Sequence, residues 1–386
     1  MQHVIPTDRI NWVTSTFLIS TALLAITGVP VYLCYFGLDA FLFKCFLLYF
    51  IATGLSITLG YHRLFSHLAF KARWPVKLFV VLSGAAAFEN SILDWASDHR
   101  DHHKHVDEDD DPYNINKGFF HAHIGWLLFK LRPEHPRTNV ADLRKDKLVM
   151  WQHRYCHGIG FLVGFVVPTI IGYFHNGAVG ALGGFLIPGI ARLVFVQHMT
   201  FFINSLCHCV GKRPYSSKCS ARDSWLMAFF TFGEGYHNYH HEFQHDYRNG
   251  VKPWQFDPTK WTIWLLSKLG LASQLRRVPA EKILLAEVNE LRFRASQAVE
   301  KSASNLQPAE DMPKKALAAV SEAYAKLGEY SEQLQSLLAE RVECSRNKIK
   351  TWQTELSKLA SQLETNLKIL KQAGFFQLSP ELVSKS

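Results

Sequence analysis

Three histidine clusters hold the side chains of this sequence best suited to chemistry. They are His62-Arg63-Leu64-Phe65-Ser66-His67, His99-Arg100-Asp101-His102-His103 and His237-Asn238-Tyr239-His240-His241. The second and third repeat His-x-x-His-His, and positions i, i+3 and i+4 of a helix share a face. Each of these two clusters can therefore aim three imidazoles at one point. The spacing of His62 and His67 leaves them about 140° apart on a regular helix. A helix is thus expected to end between them, with Ser66 available as a cap. Eight neutral nitrogen ligands exceed the needs of a structural or a catalytic zinc. Imidazole suits zinc, copper, iron and nickel, and the absence of accompanying thiolates argues against an iron–sulfur cluster. Two iron ions in nitrogen-dominated shells fit best. Neutral ligands need carboxylates behind them to orient their ring N–H groups. Asp94, Asp98, Asp101, Asp107, Glu234, Glu242 and Asp246 are candidates. The run Asp107-Glu108-Asp109-Asp110-Asp111 reads as a solvated loop with one or two orienting members. Isolated histidines, such as His121, His123, His198 and His245, read as ordinary polar residues.

The segments that must position these clusters are apolar. Residues 10–36, 40–61, 158–174 and 178–206 approach or exceed the roughly 20 residues of a bilayer span. Gly37-Leu38-Asp39 joins the first pair and His175-Asn176-Gly177 the second, and neither connector holds a Lys or Arg. The segments on the other side carry Arg63, Lys71, Arg73, Lys77, Arg100 and Lys104, among others. The positive-inside rule then places the connectors outside, and the histidine clusters with both termini in the cytoplasm. Val76–Leu93 is apolar enough to suggest a fifth span, but a crossing there would put the first two clusters on opposite faces. It contains Glu89 and Asn90, and three alanines follow Gly84. It reads as a helix buried in protein, or one that dips in and returns.

After Pro279 the composition changes. Residues 281–300 look helical, Ser302, Ser304, Asn305, Pro308 and Pro313 interrupt, and 314–372 look helical again. Apolar residues recur there at three- and four-residue steps, from Val320 and Leu327 to Leu363 and Leu370, with a phase slip between Leu338 and Ile349. That pattern predicts a helical hairpin or an interrupted coiled coil. The expected division is a membrane domain over residues 1–279 and a helical extension over 280–386.

Composition agrees with a membrane domain joined to a soluble part: 48% of residues are hydrophobic and 19% charged. The seven cysteines are scattered without a CxxC pair, so neither a disulfide framework nor a zinc ribbon is indicated. The first apolar run is too long for a signal peptide. The net charge of +9 is concentrated before about residue 280. Beside apolar segments it reads as membrane-flanking basic residues or a site for an anionic head group, not as a nucleic-acid surface.

Five stretches then match a known pattern in order: Gly60–His67, Trp95–Lys104, Asp111–Asn114, Gly125–Leu128 and Gly233–His241. Through them the chain resembles the membrane fatty acyl desaturases of the stearoyl-CoA (delta-9) type, in their bacterial form, over about residues 10–265. The resemblance implies an all-α fold of four membrane-spanning helices capped by a helical cytosolic domain that holds two Fe2+ ions. It implies a ninth ligand, His208, from Asn204-Ser205-Leu206-Cys207-His208, with Asn204 reaching one iron through water. Spacing alone does not select His208. The reaction implied is O2-dependent desaturation of a saturated acyl chain, carried as acyl-CoA, giving a cis double bond at the delta-9 position. No catalytic residue beyond the metal ligands is implied. Asn90 and Lys130 are the substrate-binding residues that follow. Ser97 stands where animal members have an arginine that contacts CoA, so acyl carrier protein thioesters and phospholipid acyl chains stay open. A membrane di-iron hydroxylase of alkane or acyl chains is the rival reading. The sequence has no nucleotide-binding glycine pattern, haem motif or four-cysteine cluster. Electrons must then come from a ferredoxin-, rubredoxin- or cytochrome-type donor and its reductase, docking on the basic face.

Overall fold

The computed structural model describes residues 7–131, 136–303, 311–340 and 345–374. It divides into two compact units, Met1–Gly211 with Ala221–Arg276, and Lys212–Ser220 with Arg277–Ser386. Both are built from helices, and the strands described are two residues long: Lys71–Ala72 pairs antiparallel with Ala272–Ser273.

In the first unit, three helices are long and apolar enough to cross a membrane: α1 (Trp12–Phe36), α2 (Ala40–Ser66) and α5 (Lys147–Cys209). The first helix and the first half of the second expose large apolar side chains, including Trp12, Ile19, Leu23, Ile26, Leu48 and Ile51. A helix that is hydrophobic all round requires an apolar surrounding. Asp39 starts α2 by accepting the N–H groups of Phe41 and Leu42 at 2.8 and 3.0 Å. A straight helix of 63 residues would reach roughly 95 Å, but α5 leaves helical geometry at Asn176 (φ −150°) and Gly177 (φ 52°). Contacts on either side are paired about that point. A Cβ on Gly172 would lie 2.0 Å from Gly180 O, and one on Gly184 would lie 2.2 Å from Pro168 O. The run therefore doubles back at the expected connector, with glycine backbones in direct contact.

The apolar stretch after α2 forms α3 (Trp74–Ala85), whose 12 residues span roughly 18 Å. That is too short to cross a bilayer. Its Val80 fits where Gly60 of α2 has no side chain, and its Gly84 admits the ring of Tyr61. Tyr61, Val80 and Val81 join Ile92, Leu93 and Ala96 of α4 (Ile92–His105) in the main core cluster. This core anchors the two helices that carry the first and second histidine clusters. The shorter helices of the unit include α6 (Trp225–Phe230), α7 (His237–Glu242) and α8 (Pro258–Lys268).

The second unit contains α9 (Ala280–Ala303), α10 (Asp311–Ala339) and α11 (Arg346–Gln372). Leu284 and Val288 of α9, Val320, Leu327 and Leu334 of α10, and Trp352, Leu356, Leu363 and Leu370 of α11 share one core. The break between α10 and α11 coincides with the phase slip in the apolar pattern. Of the residues expected to interrupt, Ser302 lies in α9 and Pro313 in the first turn of α10; Ser304, Asn305 and Pro308 lie outside the described residues.

Candidate metal centre

All nine expected histidines lie in two compact groups. His62, His67, His99, His103 and His240 form one, and His102, His208, His237 and His241 the other; within each, the donor atoms lie within 4.8 Å of one another. The two His-x-x-His-His clusters do not aim three rings at one point, as their spacing suggested. Each is divided. At 100° per residue, i and i+4 lie 40° apart, whereas i+3 is 100° from i+4. His99 and His103 thus stay together and His102 diverges; His237 and His241 stay together and His240 diverges.

The five-residue interval of the first cluster is closed by a π turn. The helix runs to Ser66, and the N–H of His67 donates to His62 O at 3.1 Å. An i to i+5 bond brings the fifth residue back near the first, so the rings of His62 and His67 are 4.7 Å apart. Ser66 Oγ donates to Tyr61 O at 2.7 Å and secures the same turn.

Ring nitrogens face one another across each group. In the first, Nε2–Nε2 distances are 3.0 Å for His62–His240, 2.8 Å for His67–His99 and 2.9 Å for His103–His240. In the second they are 3.3 Å for His102–His241, 3.1 Å for His208–His237 and 3.1 Å for His237–His241. Burial, reinforced by neighbouring imidazoles, pushes His67, His99, His103, His237, His240 and His241 well below the ordinary 6.5. Kept neutral, these converging imidazoles offer ring nitrogens that could hold a metal ion. Donors roughly 2.1 Å from a metal and at right angles around it are about 3.0 Å apart, which matches these spacings. The residues present fit a pair of metal ions, and five nitrogen donors in one group exceed a tetrahedral shell.

Two carboxylates set the outer nitrogens. Glu234 Oε2 lies 2.8 Å from His62 Nδ1, and Asp111 Oδ1 lies 2.9 Å from His102 Nδ1. Burial alone would raise both acids. The Arg63 guanidinium and His62 instead hold the Glu234 carboxyl below the usual range, and His102 does the same for Asp111. Arg63 is buried between Glu234 and Asp257, with a further bond to Tyr247 O. Of the other acids considered, Asp94 pairs with Arg137, Asp101 accepts from Asn139, and Asp246 pairs with Arg248. Tyr113 Oη, which spacing did not single out, lies 3.3 Å from His99 Nδ1.

Beside the histidines is a cavity. Phe17, Leu18, Ile57, Phe88 and Phe201 supply apolar lining, while His62 and His99 of one group and His237 of the other reach its wall. Trp95, also lining it, stacks on His99 with 4.7 Å between ring centroids. Asn90 and Asn204 line the cavity. Lys130 does not; it is exposed, and its N–H donates to Arg9 O at 2.6 Å.

The fatty acid desaturase family model matches residues 40–264, a range that encloses all nine histidines. The chain belongs to the fatty acid desaturase family. It is 41% identical over 276 residues to a probable acyl-CoA desaturase of Schizosaccharomyces pombe, covering 71% of this chain and 56% of that protein. It is 40% identical over 280 residues to acyl-CoA desaturase 1 of Saccharomyces cerevisiae, covering 70% and 52%. It is 36% identical over 270 residues to stearoyl-CoA desaturase 2 of Rattus norvegicus, covering 68% and 73%. The chain thus spans about half the length of the two yeast relatives. These relatives come from yeasts and a mammal, and the expectation of a bacterial type is not borne out.

Proposed function

We propose that this protein is an O2-dependent acyl-CoA desaturase that introduces a cis double bond at the delta-9 position of a saturated fatty acyl chain. One observation carries the reading: two groups of neutral imidazoles converge beside a largely apolar cavity, and members of both reach its wall. Methylene C–H bonds do not yield to acid–base side chains, so a redox-active metal pair is needed. Two Fe2+ ions, held by His62, His67, His99, His103 and His240 and by His102, His208, His237 and His241, would supply the oxidising power. Asn204 would reach one of them through water.

The chain's own groups perform the remaining tasks. Glu234 and Asp111 keep protons on the outer nitrogens of His62 and His102, leaving their Nε2 lone pairs directed inward. The apolar wall holds one methylene pair beside the site and excludes water. The balance is one O2, two electrons and two protons taken up, with two hydrogens leaving the chain and two waters released. A ferredoxin-, rubredoxin- or cytochrome-type donor with its reductase would provide the electrons. Asn90 in the cavity wall and Lys130 outside it are the proposed substrate-binding residues, with Lys130 meeting the anionic head group.

The reading includes four membrane spans with the histidines and both termini in the cytoplasm. The reversal of α5 at Asn176-Gly177 supports the count, and the lack of Lys or Arg in both short connectors supports the orientation. Residues 1–279 form the desaturase domain and 280–386 a helical extension. Mass spectrometry of lipids from desaturase-deficient cells expressing the chain tests the activity. A new cis monounsaturated acyl chain is expected; hydroxylated chains alone, or no change, would overturn the reading.

A further inference from the structure

Between α3 and α4 the chain makes a bend in which two residues without glycine's freedom adopt left-handed backbone: Phe88 at φ 53° and Asn90 at φ 67°. Strained positions of this kind persist only where their surroundings fix them. Here Gln197 donates to Ala87 O at 3.1 Å and to Phe88 O at 3.4 Å. Gln152 accepts the N–H of Ile92 at 3.0 Å, and Cys156 donates to Asn90 O at 3.4 Å. All three side chains belong to α5, so one long helix clamps the bend from both ends.

The residue presented at its centre is Glu89, which is 9% exposed and lines the cavity. Thr200 Oγ1 donates to its Oε1 at 2.9 Å, while its buried Oε2 has no hydrogen-bond partner. His62, Asp98, His99, Tyr113, Glu234 and His237 are the other titratable groups around the cavity, and Tyr61 of α2 is within electrostatic reach. None of them forms an ion pair with Glu89. Burial, opposed by the bonds to Thr200 and Trp95, pushes its carboxyl up to about 8. A carboxylate here would have donors from Thr200 and Trp95 and whatever water the cavity admits. Filling the cavity with methylenes would remove that water.

We propose that Glu89 is a positioning residue of the acyl cavity: as a neutral acid it admits the chain, and its ionisation expels it. The inference rests on the acyl-chain reading of the cavity. If the neutral form alone binds, apparent affinity scales with the neutral fraction. That fraction falls from roughly nine-tenths at pH 7 to roughly one-tenth at pH 9 for a group that titrates at about 8.

The test is equilibrium binding of stearyl-CoA thioether, a non-reactive probe, to the full-length purified protein across this pH range. The wild type should lose about tenfold in affinity between pH 7 and pH 9, and Glu89→Gln less than twofold. In Thr200→Val, loss of a bond that favours the ionised form should move the wild-type midpoint upward. Flat wild-type affinity over this range overturns the proposal without recourse to any variant, and so does a parallel decline in wild type and Glu89→Gln. Binding that follows the expected pH dependence while the lipid assay yields no double bond would instead overturn the desaturase reading and leave the role of Glu89 standing. A probe that binds at no pH overturns the acyl cavity itself.

Discussion

Replacing Asp111 by Asn tests how the outer nitrogens govern the metal groups. Asp111 Oδ1 lies 2.9 Å from His102 Nδ1 and also accepts the N–H of Tyr113 at 3.1 Å; Oδ2 accepts the N–H of Asp107 at 3.1 Å. An amide has one oxygen for these three demands. With its oxygen toward His102 and Tyr113, its NH2 opposes the Asp107 N–H, donor against donor. Flipped, its NH2 faces His102 Nδ1 and forces the ring proton onto Nε2, the nitrogen aimed at His241. Either pose loses at least one charge-assisted bond, worth roughly 1.5–3 kcal/mol. Loss of an outer partner of a metal ligand typically weakens metal binding about 10- to 100-fold. Both routes give about 2 kcal/mol, concentrated on the four-histidine group. Purified Asp111→Asn should hold close to one metal ion per chain and the wild type close to two, and the variant should release the weaker one faster to a chelator. Asp109→Asn, at a fully exposed carboxyl of the same loop, should match the wild type. Two retained ions with unchanged release from Asp111→Asn would refute the reasoning.

Glu234→Gln should damage the fold as well as the five-histidine group, because Glu234 also bonds Arg63 at 2.9–3.0 Å and Asn249 at 2.6 Å. Breaking a buried pair on one side costs roughly 3–5 kcal/mol, so thermal unfolding should shift far more than in Asp111→Asn. Gly235→Ala should destabilise strongly and lower metal content, since its Cβ would lie 2.0 Å from the backbone nitrogen of Ala228, two residues from where His237 begins α7. An unchanged melting temperature would contradict the close approach. Glu89 also predicts a stability slope: its carboxyl rises from 4.5 unfolded to about 8 folded. The folded state therefore binds the extra proton between those values. Stability should fall as pH rises from about 5 to 8 and then level off, and Glu89→Gln should flatten that slope in unfolding measurements.

Much of the fold is legible because it depends on local patterns. The apolar runs, the lysine-free connectors and the slip between Leu338 and Ile349 all correspond to features of the helices. The stretch Val76–Leu93 could be resolved only through packing: α3 stops at Ala85 because the bend after it is held by Gln197 of a helix over a hundred residues away. The same limit applies to the acids. Asp94, Asp101 and Asp246 have the right type and lie near the clusters, but their partners are Arg137, Asn139 and Arg248. Asp111 looked like part of a solvated run, and its 1% exposure sets it apart from its neighbours. His208 has no spacing signal because it is the sole member of its group from α5.

The division of the repeated clusters has a structural consequence that spacing alone conceals. Each group takes an i, i+4 pair from one repeat and the i+3 residue from the other: His99 and His103 receive His240, while His237 and His241 receive His102. The exchange is reciprocal, so α4 and α7 cannot separate without dismantling both groups at once. Fixed additions make the groups unequal. The π turn of α2 brings His62 and His67 to one, and α5 brings His208 alone to the other. Asn204, four residues before His208, lies in the cavity wall with His237 of the group that has one fewer histidine. Two identical spacing motifs thus produce two different sites because the helices that complete them differ, and the difference lies in α2 and α5 rather than in the motifs themselves.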